Sequence, residues 1–362
     1  MAGAASSRFL PDMSAIRWFS EVSLGDRACV GGKGGSLGEL VRAGISVPPG
    51  FVVATEAFEQ FLAALETHEP VRERIEALRA DELPAITACS QALRSRIEQT
   101  PLPSALSAQI TAAHARLCAE STERPTAAVA VRSSATTEDA ADASFAGLQD
   151  THLWVTGAAD TLHMIRSCWA SLYSVESISY RRHRGLPEQS VSMAVVVQRM
   201  VDARTAGVMF TRSPTTGDRS VITIEGSWGL GSAVVGGEVT PDRWVIGKIT
   251  GEIGVRDISD KTIQHRPAAA GGICTEPVEE AQRRAPCLSD TQLNTLCSIG
   301  RQVERHYGRP QDIEWAIERT SGEVLLLQSR PETVWSAREA APVARGADNP
   351  FAHVMSIFGG RR

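Results

Sequence analysis

Apolar and polar positions along this chain repeat with two periods, and the clearest run lies near its carboxyl end. From Asp312 to Arg330, Ile313, Trp315 and Ile317 alternate with Asp312, Glu314 and Glu318, the pattern of a strand with one buried face. Thr320-Ser-Gly322 supplies turn chemistry, and Val324 to Leu327 reads as a second, more buried strand. A hairpin folded symmetrically about Ser321 sets Glu314 opposite Gln328 and Asp312 opposite Arg330, a register that one residue of slip would undo. Val191 to Val201 is too uniformly apolar for a half-exposed strand and predicts one buried on both faces. Ala127 to Val131, Gly207 to Pro214 and Val221 to Gly226 predict further strands, and 240–246 with 251–258 another hairpin.

The helical period appears elsewhere. Leu37, Leu40 and Val41 begin a stripe that Gly44 can end. Thr55 reads as the N-cap of a helix to about Leu78, and residues 80–122 as two more amphipathic helices. Leu162, Ile165, Trp169 and Tyr173 mark a core-facing helix over 158–184. Ser289-Asp-Thr-Gln292 is a capping-box pattern, opening a helix with Leu293, Leu296, Val303 and Tyr307 inward and Gly308 at its end. The Pro/Ala/Gly-rich segment 265–288 reads as a loop. Residues after Trp335 read as a linker with a short docking helix near Phe351 to Phe358.

At 362 residues the chain predicts two domains, or one domain in two lobes. A net charge of −5 gives no electrostatic case for nucleic acid or an anionic membrane, and 5% aromatics also argues against base-stacking platforms. The seven cysteines form no CxxC pair, which predicts reduced thiols in a cytoplasmic protein. The first residues lack the apolar core of a signal peptide, and no run reaches the roughly 20 apolar residues of a membrane span.

Chemistry concentrates in three blocks. Around Lys33 stand Gly31, Gly32, Gly34 and Gly35, a lysine on a glycine loop at a helix N-terminus, which suits phosphate. It is not a Walker loop, because Gly34 follows the lysine. Gly34 to Gly38 matches the hydrolase GxSxG pattern but lacks the buried strand that pattern needs before it. In the second block a buried-type strand delivers Arg132 onto a polar turn, where a planar anion would be its partner, either a phosphate or the nearby Glu138 or Asp139. Small residues after it, through Gly147 to Thr151, would let backbone approach a ligand. Gln198 interrupts the apolar strand, to face a nucleobase edge or to be satisfied within the core. The third block is the carboxyl-terminal hairpin. Two acids, an amide and a guanidinium at its end suit a divalent metal carrying a polyphosphate, or else form a rim salt bridge.

Taken in order, GGKGGSLGEL, PPGFVVATEAF, VRSSATTEDAADASFAGLQDT, VVVQRMV, GVMFTRSP, SWGLGSAVV, DIEWAIE and LLQSRPET resemble the nucleotide-binding part of the phosphoenolpyruvate synthase, pyruvate phosphate dikinase and rifampicin phosphotransferase family. The resemblance runs from about residue 18 to 335. It implies an α+β, two-lobed ATP-grasp fold of the pyruvate phosphate dikinase N-terminal type, with a first lobe over 1–188, a second over 189–335 and a tail over 336–362. It further implies that Lys33 and Arg132 bind the triphosphate, and that Gly147 and Thr151 sit on a phosphate-covering loop. Gln198, with backbone through Met200 and Val201, would face adenine. Asp312, Glu314 and Gln328 would hold Mg²⁺ around ATP, and Arg330 would contact the phosphoryl group in transfer. Carboxylates against phosphates need that cation, since each bare pair at ~4 Å costs ~4 kcal/mol at an effective dielectric near 20.

Full-length relatives carry a histidine in a swivelling domain, and none of the eight histidines here has that motif. The resemblance therefore implies a phosphohistidine-carrying subunit on a separate chain, and among split systems it is most similar to the ATP-binding subunit of phenylphosphate synthase. A nucleotide-sensing module that has lost chemistry is the reading from another class. Against it stands the presence of Lys33, Arg132, Glu314, Gln328 and Arg330 together.

Overall fold

The computed structural model describes residues 14–67, 69–119, 128–136 and 150–336. Gly147, the acids Glu138 and Asp139, and the tail beyond 336 lie outside them, as do the expectations placed there.

The first sheet is built from β1 (Ile16–Trp18), β2 (Gly50–Val53), β3 (Val129–Ala135), β4 (Thr151–Val155) and β5 (Met193–Arg199), in the order β1-β2-β5-β3-β4. All its pairings are antiparallel. One face packs on α2 (Thr55–Glu66), α3 (Val71–Glu76), α4 (Leu83–Gln99), α5 (Ser104–Ala119), α6 (Ala158–Ser171) and α7 (Val175–Arg184). There Val53, Val195 and Val197 meet a core centred on Trp169, whose ring stacks on Phe61 with centroids 5.2 Å apart. The alternate positions Val52, Ala194 and Val196 meet α1 (Arg27–Arg42) on the other face. β5 is thus buried on both sides, as its largely apolar run predicts.

The second sheet comprises β6 (Ala203–Phe210), β7 (Val221–Trp228), β8 (Asp242–Gly247), β9 (Ile253–Asp257), β12 (Gln311–Glu318) and β13 (Val324–Pro331), ordered β13-β12-β6-β7-β8-β9. Ile313, Trp315 and Ile317 point into a core closed by α10 (Asp290–Tyr307). That helix has the anticipated capping box at Ser289 and a left-handed Gly308 at its end. Room for the fully buried Trp315 indole comes from Gly226, where an added Cβ would stand 2.9 Å from the ring.

Four expectations need correction. The boundary at 188/189 assigns β5 to the second lobe, yet it is hydrogen-bonded between β2 and β3, so the sheets divide near residue 200. Segment 265–288 is no loop: β10 (Ile263–Pro267) and β11 (Ile273–Pro277) form a small hairpin, followed by the short α9 (Glu280–Arg283). The helix from Thr55 ends at Glu66, and a new one begins after Pro70, which cannot donate within a continuing helix. The helix over 158–184 likewise breaks after Ser171 and restarts at Val175 with Ser174 as its cap. A further single turn, α8 (Ser232–Val235), follows β7. Among the described residues no helix is long and apolar enough to cross a membrane, and no disulfide joins the cysteines.

Candidate nucleotide site

The glycine block around Lys33 is helical, with one break. α1 runs from Arg27 to Arg42, but Gly31 has φ 69 and ψ 179, so the chain leaves the helix there and re-enters it at once. Ser134 of β3 accounts for the break. Its hydroxyl donates to the Val30 carbonyl at 2.9 Å and accepts from the Gly34 N–H at 3.2 Å, standing where a continuous helix would join those two groups directly. A Cβ on Gly31 would lie 2.1 Å from the Ser134 carbonyl oxygen. Lys33 therefore occupies the first turn of a renewed helix, on the wall of the main cavity. Helix N-termini offer N–H groups to anions.

That cavity, about 940 Å³, lies between the two sheets. Lys33, Arg132, Thr151, Gln198, Met200, Val201, Glu314, Gln328 and Arg330 all line it, although they come from positions as much as 297 residues apart in sequence. Asp312 stands at the edge of this group, beside Arg330. Its carboxylate faces Arg330 at 3.4 Å, and burial pushes its pKa up despite that guanidinium. Asp312 and Glu314 lie two residues apart on the same face of β12, opposite Arg330 and Gln328.

Arg132 joins the two lobes at the cavity floor. Nη2 donates to Glu314 Oε2 at 3.0 Å and to Gln328 Oε1 at 2.6 Å, while Nη1 donates to the Leu327 carbonyl at 3.1 Å. Its Nε is buried without a partner among the described residues. The hairpin geometry explains this convergence. Near the turn Ile317 pairs with Val324 and Trp315 with Leu326, whereas Glu314 pairs with Gln328 and Asp312 with Arg330. Leu327 is skipped, a bulge that frees its carbonyl for Arg132 and brings Gln328 level with Glu314. The expected far-end pairing is present, reached through a turn one residue out of symmetry and a bulge that restores the register.

Gln198 donates from Nε2 to the Pro48 carbonyl at 3.3 Å, so its amide nitrogen is satisfied within the protein while the residue still lines the cavity. The Met200 N–H is likewise bonded, to the Ala128 carbonyl at 2.8 Å. The apolar end of the cavity is a cluster of Met200, Val201, Leu230, Ile273 and Trp154. Beside it His265 lies 2.8 Å from Ser232 Oγ through Nδ1 and 3.2 Å from Glu238 Oε2 through Nε2. Sequence reasoning did not single out Ser134, Trp154 or this Ser232–His265–Glu238 chain. Only the position of Ser232 within the glycine-rich 228–237 connection could have drawn attention to it.

Among the described residues no group of three His, Cys, Asp or Glu side chains is placed to hold a metal. Glu314 and Gln328 nonetheless present two oxygens within hydrogen-bond reach of one cationic nitrogen. Such a pair fits Mg²⁺, a cation that takes one or two side-chain oxygens and completes its shell with phosphate and water.

Two α+β lobes enclosing a cleft lined by a helix-borne lysine, three arginines and a carboxylate–amide pair form an ATP-grasp fold. The chain matches the family "Pyruvate phosphate dikinase, AMP/ATP-binding domain" over residues 27–349, and it belongs to that family. It is 41% identical over 318 residues to a probable phosphoenolpyruvate synthase of Methanothermobacter thermautotrophicus, covering 88% of this chain and 46% of that protein. A probable phosphoenolpyruvate synthase of Staphylothermus marinus is 37% identical over 348 residues, covering 90% of this chain and 42% of the relative. A rifampicin phosphotransferase of Streptomyces sp is 39% identical over 338 residues, covering 93% and 37%. The chain therefore spans less than half the length of these curated relatives.

Proposed function

We propose that this chain is the ATP-binding part of a phosphotransferase that uses Mg-ATP to phosphorylate a histidine carried by a separate polypeptide, releasing AMP and phosphate. The observation that carries the reading is the convergence of Arg132, Glu314 and Gln328 at the floor of a cleft also lined by Lys33 and Arg330. In this reading Lys33 and Arg132 bind the triphosphate, and Arg330 reaches the group in transfer. Asp312 faces the Arg330 guanidinium at 3.4 Å. Glu314 and Gln328 would hold Mg²⁺, which when bound supplies positive charge against the phosphate oxygens. The protein's own contribution is positioning and charge compensation, the terms that dominate phosphoryl transfer. The reading also places the chain in the cytoplasm, where ATP is abundant.

The acceptor beyond the histidine is a separate question. The relatives' names support a phosphoenolpyruvate-forming enzyme or an antibiotic phosphotransferase. Phenol, as in phenylphosphate synthase, rests on the motif resemblance. A nucleotide-sensing module would keep ATP binding and transfer nothing.

The test uses the chain with a candidate histidine-domain protein and ATP labelled separately at the β and γ positions. Label retained on that protein, with AMP formed, supports the reading, and loss of both in Glu314→Ala supports the assigned site. Unchanged transfer in Glu314→Ala would sink the site assignment. ATP binding without any label transfer would favour the sensing module.

A further inference from the structure

Trp154 has φ 57, the one positive φ at a non-glycine among the described residues. That region is disfavoured for L-residues and most unusual for a bulky one. Its origin is visible in the strand pairing. Val129 faces Val155 and Val131 faces His152, so Leu153 and Trp154 together oppose the single Ala130. This is a β-bulge, a device that re-aims side chains and is common beside functional sites. The result is a Trp154 side chain packed with Met200, Val201, Leu230 and Ile273 at the apolar end of the cavity. Its carbonyl accepts the Gly272 N–H at 3.0 Å, which links β4 of the first sheet to the β10–β11 turn.

Glycine would adopt this backbone without strain, and an asparagine nearly so. The indole is the group that gains from the arrangement, because the bulge places a large flat π-surface on the wall of a cleft whose other end is cationic. Strained positions of this kind persist where the surroundings over-determine them, and they cluster at ligand sites.

We propose that Trp154 is the aromatic wall of the nucleobase subsite, on which the purine ring of the nucleotide stacks. The inference rests on the nucleotide reading above and deepens it. Stacking on an aromatic face is tolerant of base identity, because every base has a π-face. Trp154 therefore contributes to the binding of any base, more for the larger purine ring than for a pyrimidine, and nothing to the binding of polyphosphate alone.

The experiment measures ATP, CTP and inorganic tripolyphosphate binding in Mg²⁺ by calorimetry for the wild-type chain, Trp154→Gly and Trp154→Phe. Alongside, the quenching of tryptophan emission by ATP is recorded, with thermal melts as a check of folding. Trp154→Gly should weaken ATP about tenfold, within the range of one base–aromatic stack, weaken CTP less, and leave tripolyphosphate unchanged. Trp154→Phe should keep most of the affinity and lose the larger part of the quenching, Trp315 being the other tryptophan on the cavity wall. Equal ATP affinity in wild type and Trp154→Gly would overturn the aromatic wall, as would an equal loss for tripolyphosphate, which would mark a general loosening of the lobes. Failure of the wild-type chain to bind ATP at all would instead overturn the nucleotide reading itself.

Discussion

Replacing Arg132 by methionine keeps the aliphatic stem and removes the guanidinium, and the structure says what that should do to metal binding. Arg132 Nη2 sits 3.0 Å from Glu314 Oε2 and 2.6 Å from Gln328 Oε1, with its side chain 11% exposed and that of Glu314 30% exposed. At an effective dielectric near 20, a pair at that separation attracts by about 5 kcal/mol. Desolvating two partly buried ions costs several kcal/mol, which leaves a net of about 1–3 kcal/mol. A divalent cation entering between Glu314 and Gln328 has to displace the guanidinium and so forfeits that net energy. In the proposed reading, with ATP present the displaced guanidinium would find phosphate oxygens and the forfeit would be recovered. Arg132→Met should therefore bind free Mn²⁺ about tenfold or more tightly than wild type, and Mn-ATP less tightly. Free Mn²⁺ can be counted by its paramagnetic resonance signal, titrated with and without ATP, with Glu314→Gln as the control that weakens both. If Arg132→Met bound free Mn²⁺ no better than wild type, the argument that arginine and metal compete for the same two oxygens would be refuted.

Two further tests follow from the same geometry. Gly31 and Gly44 share φ +69, but a Cβ at Gly44 meets nothing within 4 Å while one at Gly31 meets the Ser134 carbonyl oxygen at 2.1 Å. Gly44→Ala should cost about 1 kcal/mol for the left-handed backbone alone, whereas Gly31→Ala should cost a further 1–3 kcal/mol of overpacking and weaken ATP; equal urea midpoints would remove the case for the Ser134 break. Burial raises the Asp312 pKa, with Arg330 pulling it partly back and Glu332 adding to the rise. The folded state then keeps a proton that the unfolded state has lost, so stability falls as pH rises from the ordinary aspartate range through the raised value. Asp312→Asn removes that penalty and should compare more favourably with wild type in urea melts at pH 7 than at pH 4; the same difference at both would contradict the burial argument.

The parts legible in the sequence are those where one element decides its own burial. Ile313, Trp315 and Ile317 were readable as a buried face because alternation within a strand needs no knowledge of its neighbours. The pairing of Glu314 with Gln328 was readable too, but through a symmetry the hairpin lacks, since the Leu327 bulge makes up for the offset turn. What stayed hidden depends on partners. The apolar run of β5 announced burial on both faces without saying which sheet it joins. The break at Gly31 requires a hydroxyl from Ser134, 100 residues away from Gly34. The β10–β11 hairpin is mostly half-exposed, so its alternation is faint. The left-handed Trp154 follows from a bulge against β3 that no local preference of tryptophan suggests.

The same atoms serve lobe docking and the proposed ligand, and this bears on how the cleft can work. Arg132 belongs to the first sheet and its acceptors Glu314, Gln328 and Leu327 to the second, so the ionic contact across the cleft is the one a metal–nucleotide complex would take over. If that contact alone held the lobes, binding would loosen them at the moment the ligand needs both. α1 removes the conflict. Its Val30 and Leu37 are buried with the first sheet, while Leu40, with Ile45 just beyond the helix, is buried in the core of the second. Ser36 donates to the Ser329 carbonyl, the Leu326 N–H reaches Ser46, and His306 lies 2.6 Å from Glu39. An apolar joint of this kind persists when a single ion pair is exchanged. In the proposed reading the guanidinium would move from carboxylate to phosphate with the lobes still attached, and Lys33, which rides on the joint itself, would keep its place on the cleft wall.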